Sequence, residues 1–192
     1  MTTTFKNLAI CFAAAPAIAA AGAIMLTLGI GKSAEAAVIN FDSLSPGEVL
    51  DNQFLDLGVD FNSTAAILTL GEGLDPTYPP FSGNNLAYNY LSSGLSVNAV
   101  GSTWDSVGAY ITGIGQITLT AYDASDRVLG TTSTSGSNYL NANTGLSPNI
   151  FLKVANSNIA YVKFMAETEL GANTFTLDNF TFEKSAAYCP VP

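Results

Sequence analysis

The sequence predicts an all-β protein, a sandwich of two antiparallel sheets in the jelly-roll arrangement. Three observations carry that prediction. Short runs rich in Val, Ile, Thr, Tyr and Phe recur along the chain, separated by Gly, Asn, Ser and Pro. Within several runs apolar and polar residues alternate, the period-2 signature of a half-buried strand. No segment beyond residue 36 carries a sustained helical stripe.

Taken in order, residues 1–36 read as a signal peptide. Lys6 supplies a basic start, Leu8 to Gly31 holds no charge, and Ala34-Glu35-Ala36 offers the small-x-small pattern that signal peptidase cleaves. The uncharged run is also long enough to span a bilayer, so a retained anchor is the competing reading. Pro16 and the cleavage pattern favour removal. One domain then occupies residues 37–183, with a short tail at 184–192. Strands are expected near Val38–Asp42, Gly58–Asn62, Ile67–Leu70, Leu86–Tyr90, Leu95–Ala99, Ser106–Thr112, Gln116–Asp123, Arg127–Thr132, Ile150–Ala155, Asn158–Met165 and Thr174–Glu183. The longest polar gaps, Gly71–Asn85 and Ser133–Pro148, are expected as loops at the sandwich ends.

Composition excludes several functions. Loss of residues 1–36 leaves 14 acidic and 4 basic residues, a formal charge of −10. Such a surface repels nucleic acid and anionic lipid, which are bound through clustered Lys and Arg. The mature domain is expected to stay out of the membrane. Cys11 leaves with the leader, so Cys189 has no internal partner. Histidine is absent, which removes His-based triads and the imidazole-rich zinc and copper sites. No nucleophile elbow, phosphate-binding loop or dinucleotide fingerprint occurs. Two carboxylates can still hydrolyse a glycosidic bond, but most acidic residues here mark turns: Asp75 precedes a proline and Asp126 sits at a hairpin tip. The expectation is a protein without catalytic residues.

Alternation assigns faces. Val107, Ala109 and Ile111 point inward and Tyr110 outward. Ile117, Leu119 and Ala121 point inward and Tyr122 outward. Ala160, Val162 and Phe164 point inward and Tyr161 outward. A face carrying Tyr110, Tyr122 and Tyr161 among threonines could stack sugar rings and bond their hydroxyls, although Tyr and Thr also simply suit exposed strands. In Leu74-Asp75-Pro76-Thr77-Tyr78-Pro79-Pro80-Phe81, three prolines restrict the loop, so Tyr78 and Phe81 are candidate ligand contacts held at low entropic cost. The alternative is that Phe81 plugs the core and Tyr78 covers it.

The last strand breaks its own period. Phe175 and Leu177 share one register, Phe180 and Phe182 the other, so a β-bulge is expected at Asp178-Asn179. Its oxygens suit a hard cation. First and last strands can lie close in a jelly roll, which makes Asp42 and Asp178, with Asn179 as auxiliary, the candidate ligands of a structural calcium ion. The plainer reading is that Asp42 starts a turn and Asp178-Asn179 only marks the bulge.

Several segments resemble the jelly-roll domains of secreted bacterial PEP-CTERM proteins, many of them cyanobacterial. They are the hairpin Leu119 to Gly130, Ser157 to Phe164, Phe175 to Phe182, Pro80 to Asn89, and Ile39-Asn40-Phe41-Asp42 followed by Leu57 to Phe61. The resemblance spans most of residues 37–183 and implies a secreted or cell-surface protein, often linked to exopolysaccharide; it transfers no catalytic residue. The ending Cys189-Pro190-Val191-Pro192 lacks the Glu-Pro, apolar helix and basic cluster of that group's sorting signal, so the expectation is either a truncated signal or free release. Three functions follow in order: a non-enzymatic protein that binds or packs into extracellular polysaccharide, a structural or adhesive module for protein partners, and a carboxylate-based glycan hydrolase.

Overall fold

The structure, a computed structural model, describes residues 36–89, 94–167 and 175–185. Among them twelve strands form: β1 (Ala36–Ile39), β2 (Val49–Leu50), β3 (Val59–Asp60), β4 (Ala65–Thr69), β5 (Asn85–Asn89), β6 (Leu95–Ala99), β7 (Trp104–Gly113), β8 (Gln116–Tyr122), β9 (Val128–Ser133), β10 (Ile150–Ile159), β11 (Tyr161–Glu167) and β12 (Phe175–Lys184). They build two antiparallel sheets. One has seven strands in the order β10-β7-β12-β5-β4-β2, with β1 also paired to β12; the other runs β3-β6-β11-β8-β9. This is the predicted sandwich. The expected leader, apart from Ala36, and the tail beyond Ser185 lie outside the described residues, as do Tyr90 and Thr174 of the expected strands.

The core lies between the sheets because strand alternation puts it there. Val107, Ala109 and Ile111 of β7 face Ile117, Leu119 and Ala121 of β8 and Val162 and Phe164 of β11 across one continuous apolar layer, all fully buried. One end of this layer is aromatic. Phe61 meets Phe41 and Phe180 edge-on at 5.7 and 5.5 Å, and Trp104 packs on Phe180 and Phe182 at 5.8 and 5.5 Å. Such pairs add about 0.5–1.5 kcal/mol each beyond the area they bury. Phe41 joins this group from a left-handed backbone, φ 62°. Its carbonyl accepts hydrogen bonds from Leu44 N–H at 3.0 Å and from Asn85 Nδ2 at 3.1 Å, which hold the strained turn.

The expected phase break in β12 is a bulge. Asp178 pairs with Tyr110 and Thr181 with Gly108, so Asn179 and Phe180 together oppose Ala109 alone. Asn179 takes φ 46°, and the extra residue returns Phe180 and Phe182 to the core face already used by Phe175 and Leu177. The bulge also divides the edge of β12 that faces away from β7. On one side β5 pairs with Thr176 and Leu177; on the other β1 pairs with Phe180 to Glu183. The end of β1, the start of β5 and the bulge therefore meet at one point.

Three expectations need correction. Ala160 is only half-buried and Ile159 takes the core position instead, because Asn158 turns through φ 66° and the chain breaks at Ala160 between β10 and β11. Val49–Leu50, within the stretch read as non-strand, pairs with β4. The two long loops do not sit at the sandwich ends. They fold across the outer face of the seven-stranded sheet, where Leu74 and Tyr78 bury themselves on Leu86, with Leu68, Tyr88, Ile114 and Tyr139 packed around them. The apolar residues of these loops thus form a second, smaller core.

Candidate functional site

The outer face of the seven-stranded sheet is organised by the segment from Leu74 to Asn85. Asp75 Oδ1 accepts both the backbone N–H and the hydroxyl of Thr77, at 2.9 and 2.8 Å. These two donors hold its carboxyl below the usual carboxylate range. The prolines at 76, 79 and 80 fix φ through the rest of the turn. The other long loop braces it: Leu140 N–H donates to the Thr77 carbonyl at 2.8 Å and Asn149 Nδ2 to that of Pro79 at 3.1 Å. Asn138 anchors that brace. Fully buried, it accepts from Gly113 N–H at 2.8 Å and donates to the Ile111 carbonyl at 2.7 Å. Tyr78 points down from the turn, with its ring stacked on Tyr139 at 6.0 Å. Burial, and secondarily the Asp75 charge, pushes its phenol up.

Phe81 does the opposite. It is 45% exposed and lies parallel to Tyr110 of β7, ring centroids 3.4 Å apart and planes 9° apart. Ring quadrupoles do not favour such an eclipsed sandwich, so the loop sets the geometry rather than attraction between the rings. Phe151 of β10, 41% exposed, leans against Tyr110 at 4.9 Å. Room for it comes from Gly108, where a Cβ would fall 2.9 Å from Phe151 Cζ. Phe81, Tyr110 and Phe151 make one exposed aromatic surface. Phe151 was not among the sequence candidates, yet the inward positions of Leu152 and Val154 in the same strand force it outward, and that alternation could have found it.

The junction of β1, β5 and the bulge clamps this loop. Ser82 N–H donates to Asp178 Oδ2 at 2.9 Å and Ser82 Oγ to Asn179 Oδ1 at 2.8 Å. Asn84 and Asn85 N–H both donate to Asp42 Oδ1, at 2.9 and 3.1 Å. Asp178 is 1% exposed. Burial pushes its carboxyl up from the ordinary range, the nearby Asp42 adds to that, and the N–H groups of Ser82, Asn179 and Phe81 oppose it. The structure thus brings Asp42, Asp178 and Asn179 together on one loop. Among the described residues no group of three or more Asp, Glu, Cys or His side chains gathers as a metal cluster.

Tyr122 and Tyr161 lie on the opposite side of the molecule, on the outer face of the five-stranded sheet. They are register partners on β8 and β11, with rings 4.7 Å apart and 7° from parallel. Each therefore spends one face on the other, and the Lys163 ammonium sits 5.8 and 5.6 Å from the two rings. Tyr161 also donates its hydroxyl to Asp126 Oδ1 at 2.8 Å. This pair satisfies itself and presents no flat platform.

Burial, followed by the Asp126 hydrogen bond and charge, raises the Tyr161 phenol from 10.0 to about 12. A phenol that keeps its proton longer in the folded state than in the unfolded one loses stabilisation as pH rises from about 10 through about 12. Asp126→Asn is expected to lower the Tyr161 pKa and narrow that window, read by ultraviolet titration of phenolate against a Tyr161→Phe control. An unchanged titration would contradict the assigned bond.

Fold and site together define an antiparallel β-sandwich with two covering loops and an aromatic surface on one sheet. No protein-family model matches the chain, and no curated protein matches it in sequence. Among solved structures it is similar in fold to a DUF4465 family protein from Bacteroides caccae ATCC 43185, with TM-score 0.52 and 12% identity, covering 79% of this chain and 100% of that one. A second similar structure is TmCBM61 in complex with β-1,4-galactotriose, with TM-score 0.32 and 12% identity, covering 73% of this chain and 95% of that one.

Proposed function

We propose that this chain is a non-enzymatic, secreted or cell-surface β-sandwich that binds extracellular polysaccharide on the outer face of its seven-stranded sheet. The observation that carries the reading is Phe81, a half-exposed ring held flat over Tyr110 by a proline-bound, clamped loop beside exposed Phe151. The fold fixes this ring while leaving about half of its surface in water. A sugar fits that surface: the apolar face of a pyranose covers the ring while its hydroxyls stay wet. The preset loop lowers the ordering cost of binding. The resemblance to PEP-CTERM surface proteins supports the extracellular setting.

The hydrolase alternative is weakened by the same geometry. Asp42 and Asp178, the carboxylates that converge, spend lone pairs on backbone N–H groups, and Asp178 is sealed from solvent. Asp178 cannot reach a glycosidic oxygen from there. An adhesive module for protein partners remains the second reading, and the binding assay separates the two. Against an array of extracellular polysaccharides, Phe81→Ala and Phe151→Ala are each expected to weaken binding about tenfold, ~1.4 kcal/mol. Tyr122→Ala, on the other sheet, should not. Unchanged affinity of Phe81→Ala for every glycan bound would overturn the reading.

Calcium is proposed at the clamp, with Asp42 and Asp178 as ligands and Asn179 as auxiliary. Asp42 uses only Oδ1 for its two N–H partners, and the desolvated Asp178 carboxylate lacks a cation partner among the described residues. Both features support a hard-cation site. Its role would be structural, so the melting temperature is expected to rise with calcium by mass action. Asp178→Asn should remove that dependence. Identical melting curves in chelator and in excess calcium would refute the site.

A further inference from the structure

Leu74, Asp75 and Tyr78 of the same loop border a cavity of about 430 Å³ that Phe81 does not line. Leu74, Tyr78, Tyr88 and Phe175 supply apolar and aromatic walls, while Asp75 and Thr176 supply oxygens. This composition, apolar walls with a few fixed polar groups, and this size are those of a small-ligand pocket. We propose that the cavity is a second sugar site that takes a single neutral pyranose, such as the terminal unit of a glycan. The proposal rests on the polysaccharide-binding reading and deepens it: one loop turns Phe81 to an extended chain and Tyr78 to a chain end.

The chemistry selects the ligand class. Asp75 stands at the exposed rim, ionised, with Oδ1 occupied by Thr77 and Oδ2 accepting nothing among the described residues. An ionised carboxylate only accepts, so it favours a ligand that brings donors and repels an anion such as a fatty acid or phosphate. A purely apolar guest would use neither this carboxylate nor the Tyr78 phenol; the Thr176 hydroxyl, which already donates to the Thr112 carbonyl at 3.3 Å, offers a ligand only an acceptor. Tyr78, its phenol protonated at neutral pH, donates as well as accepts. A neutral polyol with one apolar face meets all of these groups, and a pyranose is such a molecule. The brace behind the pocket, Tyr139 stacked on Tyr78 and Leu140 bonded to Thr77, keeps the ring in place before the ligand arrives.

The test titrates the full chain with the methyl glycopyranosides of glucose, galactose and mannose, by ligand-observed NMR and calorimetry. At least one is expected to bind. Leu74→Trp, which fills the cavity, should abolish that binding. Asp75→Asn, which keeps the Thr77 cap but removes the charge, should weaken it at least fivefold with an unchanged melting temperature. The second variant decides the matter where the first fails to fold. Phe81→Ala should leave monosaccharide binding intact while it lowers polymer affinity. Absence of binding to all three sugars, or binding that neither pocket variant alters, overturns the cavity site. Polymer affinity that ignores Phe81→Ala overturns the platform instead.

Discussion

Inserting one residue after Asn179 is expected to unfold the protein, whereas deleting Asn179 is expected to leave a folded sandwich. The asymmetry follows from the bulge. With two residues opposite Ala109, the chain from Phe175 to Phe182 already holds one residue more than strict alternation allows. Deletion restores a regular strand in which Phe175, Leu177, Phe180 and Phe182 still face inward. With the bulge kept, insertion turns Phe180 and Phe182, both fully buried against Trp104, out to water and brings Thr181 inward; with the strand straightened instead, it forces Asn179 into the core and slides both rings two positions along β7, away from Trp104. Re-exposing two phenylalanines costs about 3–6 kcal/mol, and an unpaired buried hydroxyl adds about 1–3 kcal/mol. Those losses match the whole stability of an ordinary domain, about 5–15 kcal/mol. Trp104, the chain's single tryptophan, reports the outcome through its fluorescence. A native, blue-shifted emission in the insertion variant would show that the strand absorbs the extra residue elsewhere. The deletion variant should keep that emission yet lose the Asn179 contact to Ser82, and with it part of the polysaccharide affinity.

That prediction was partly legible in the sequence, which locates the bulge by the clash between two apolar registers in one strand. The same period-2 logic places Val107, Ala109, Ile111, Ile117, Leu119, Ala121, Val162 and Phe164 inward, because a strand that buries one face leaves no freedom about the other. It stops at the loops. Leu74, Tyr78 and Tyr139 sit in stretches without periodicity, so nothing in the sequence says that they cover Leu86 and Tyr88 rather than hang at a sandwich end. Whether Tyr78 or Phe81 is the buried one depends on hydrogen bonds from residues 138–149, far away in the chain, and Phe81 turns out exposed. The convergence of Asp42 with Asp178 was legible because chain ends meet in this topology. The part played by Ser82, a single serine in a polar run, was not. Tyr122 and Tyr161 were correctly placed outward, but only the register of β8 on β11 reveals that they stack on each other.

Gly83→Ala is expected to destabilise the protein by about 3–5 kcal/mol and to release the aromatic surface at the same time. Gly83 has φ 59°, a left-handed conformation that costs an L-residue about 1–2 kcal/mol. A Cβ there would also fall on the Asp42 carboxylate, whose Oδ1 holds the N–H groups of Asn84 and Asn85. Displacing that carboxylate removes two charge-assisted hydrogen bonds, each worth about 1.5–3 kcal/mol at most, and frees the segment that keeps Phe81 over Tyr110. For a chain of this size the melting temperature should fall by about 10 °C. Polysaccharide affinity should fall with it, even at temperatures where the variant is folded. The double mutant tests the mechanism. Asp42→Ala alone loses the same hydrogen bonds but leaves room for the new methyl group. Asp42→Ala combined with Gly83→Ala should therefore cost clearly less than the sum of the two, because the clash and the shared bonds are counted once. Strict additivity would mean that Gly83 and Asp42 do not meet as this structure places them, and the clamp on the Phe81 loop would have to lie elsewhere.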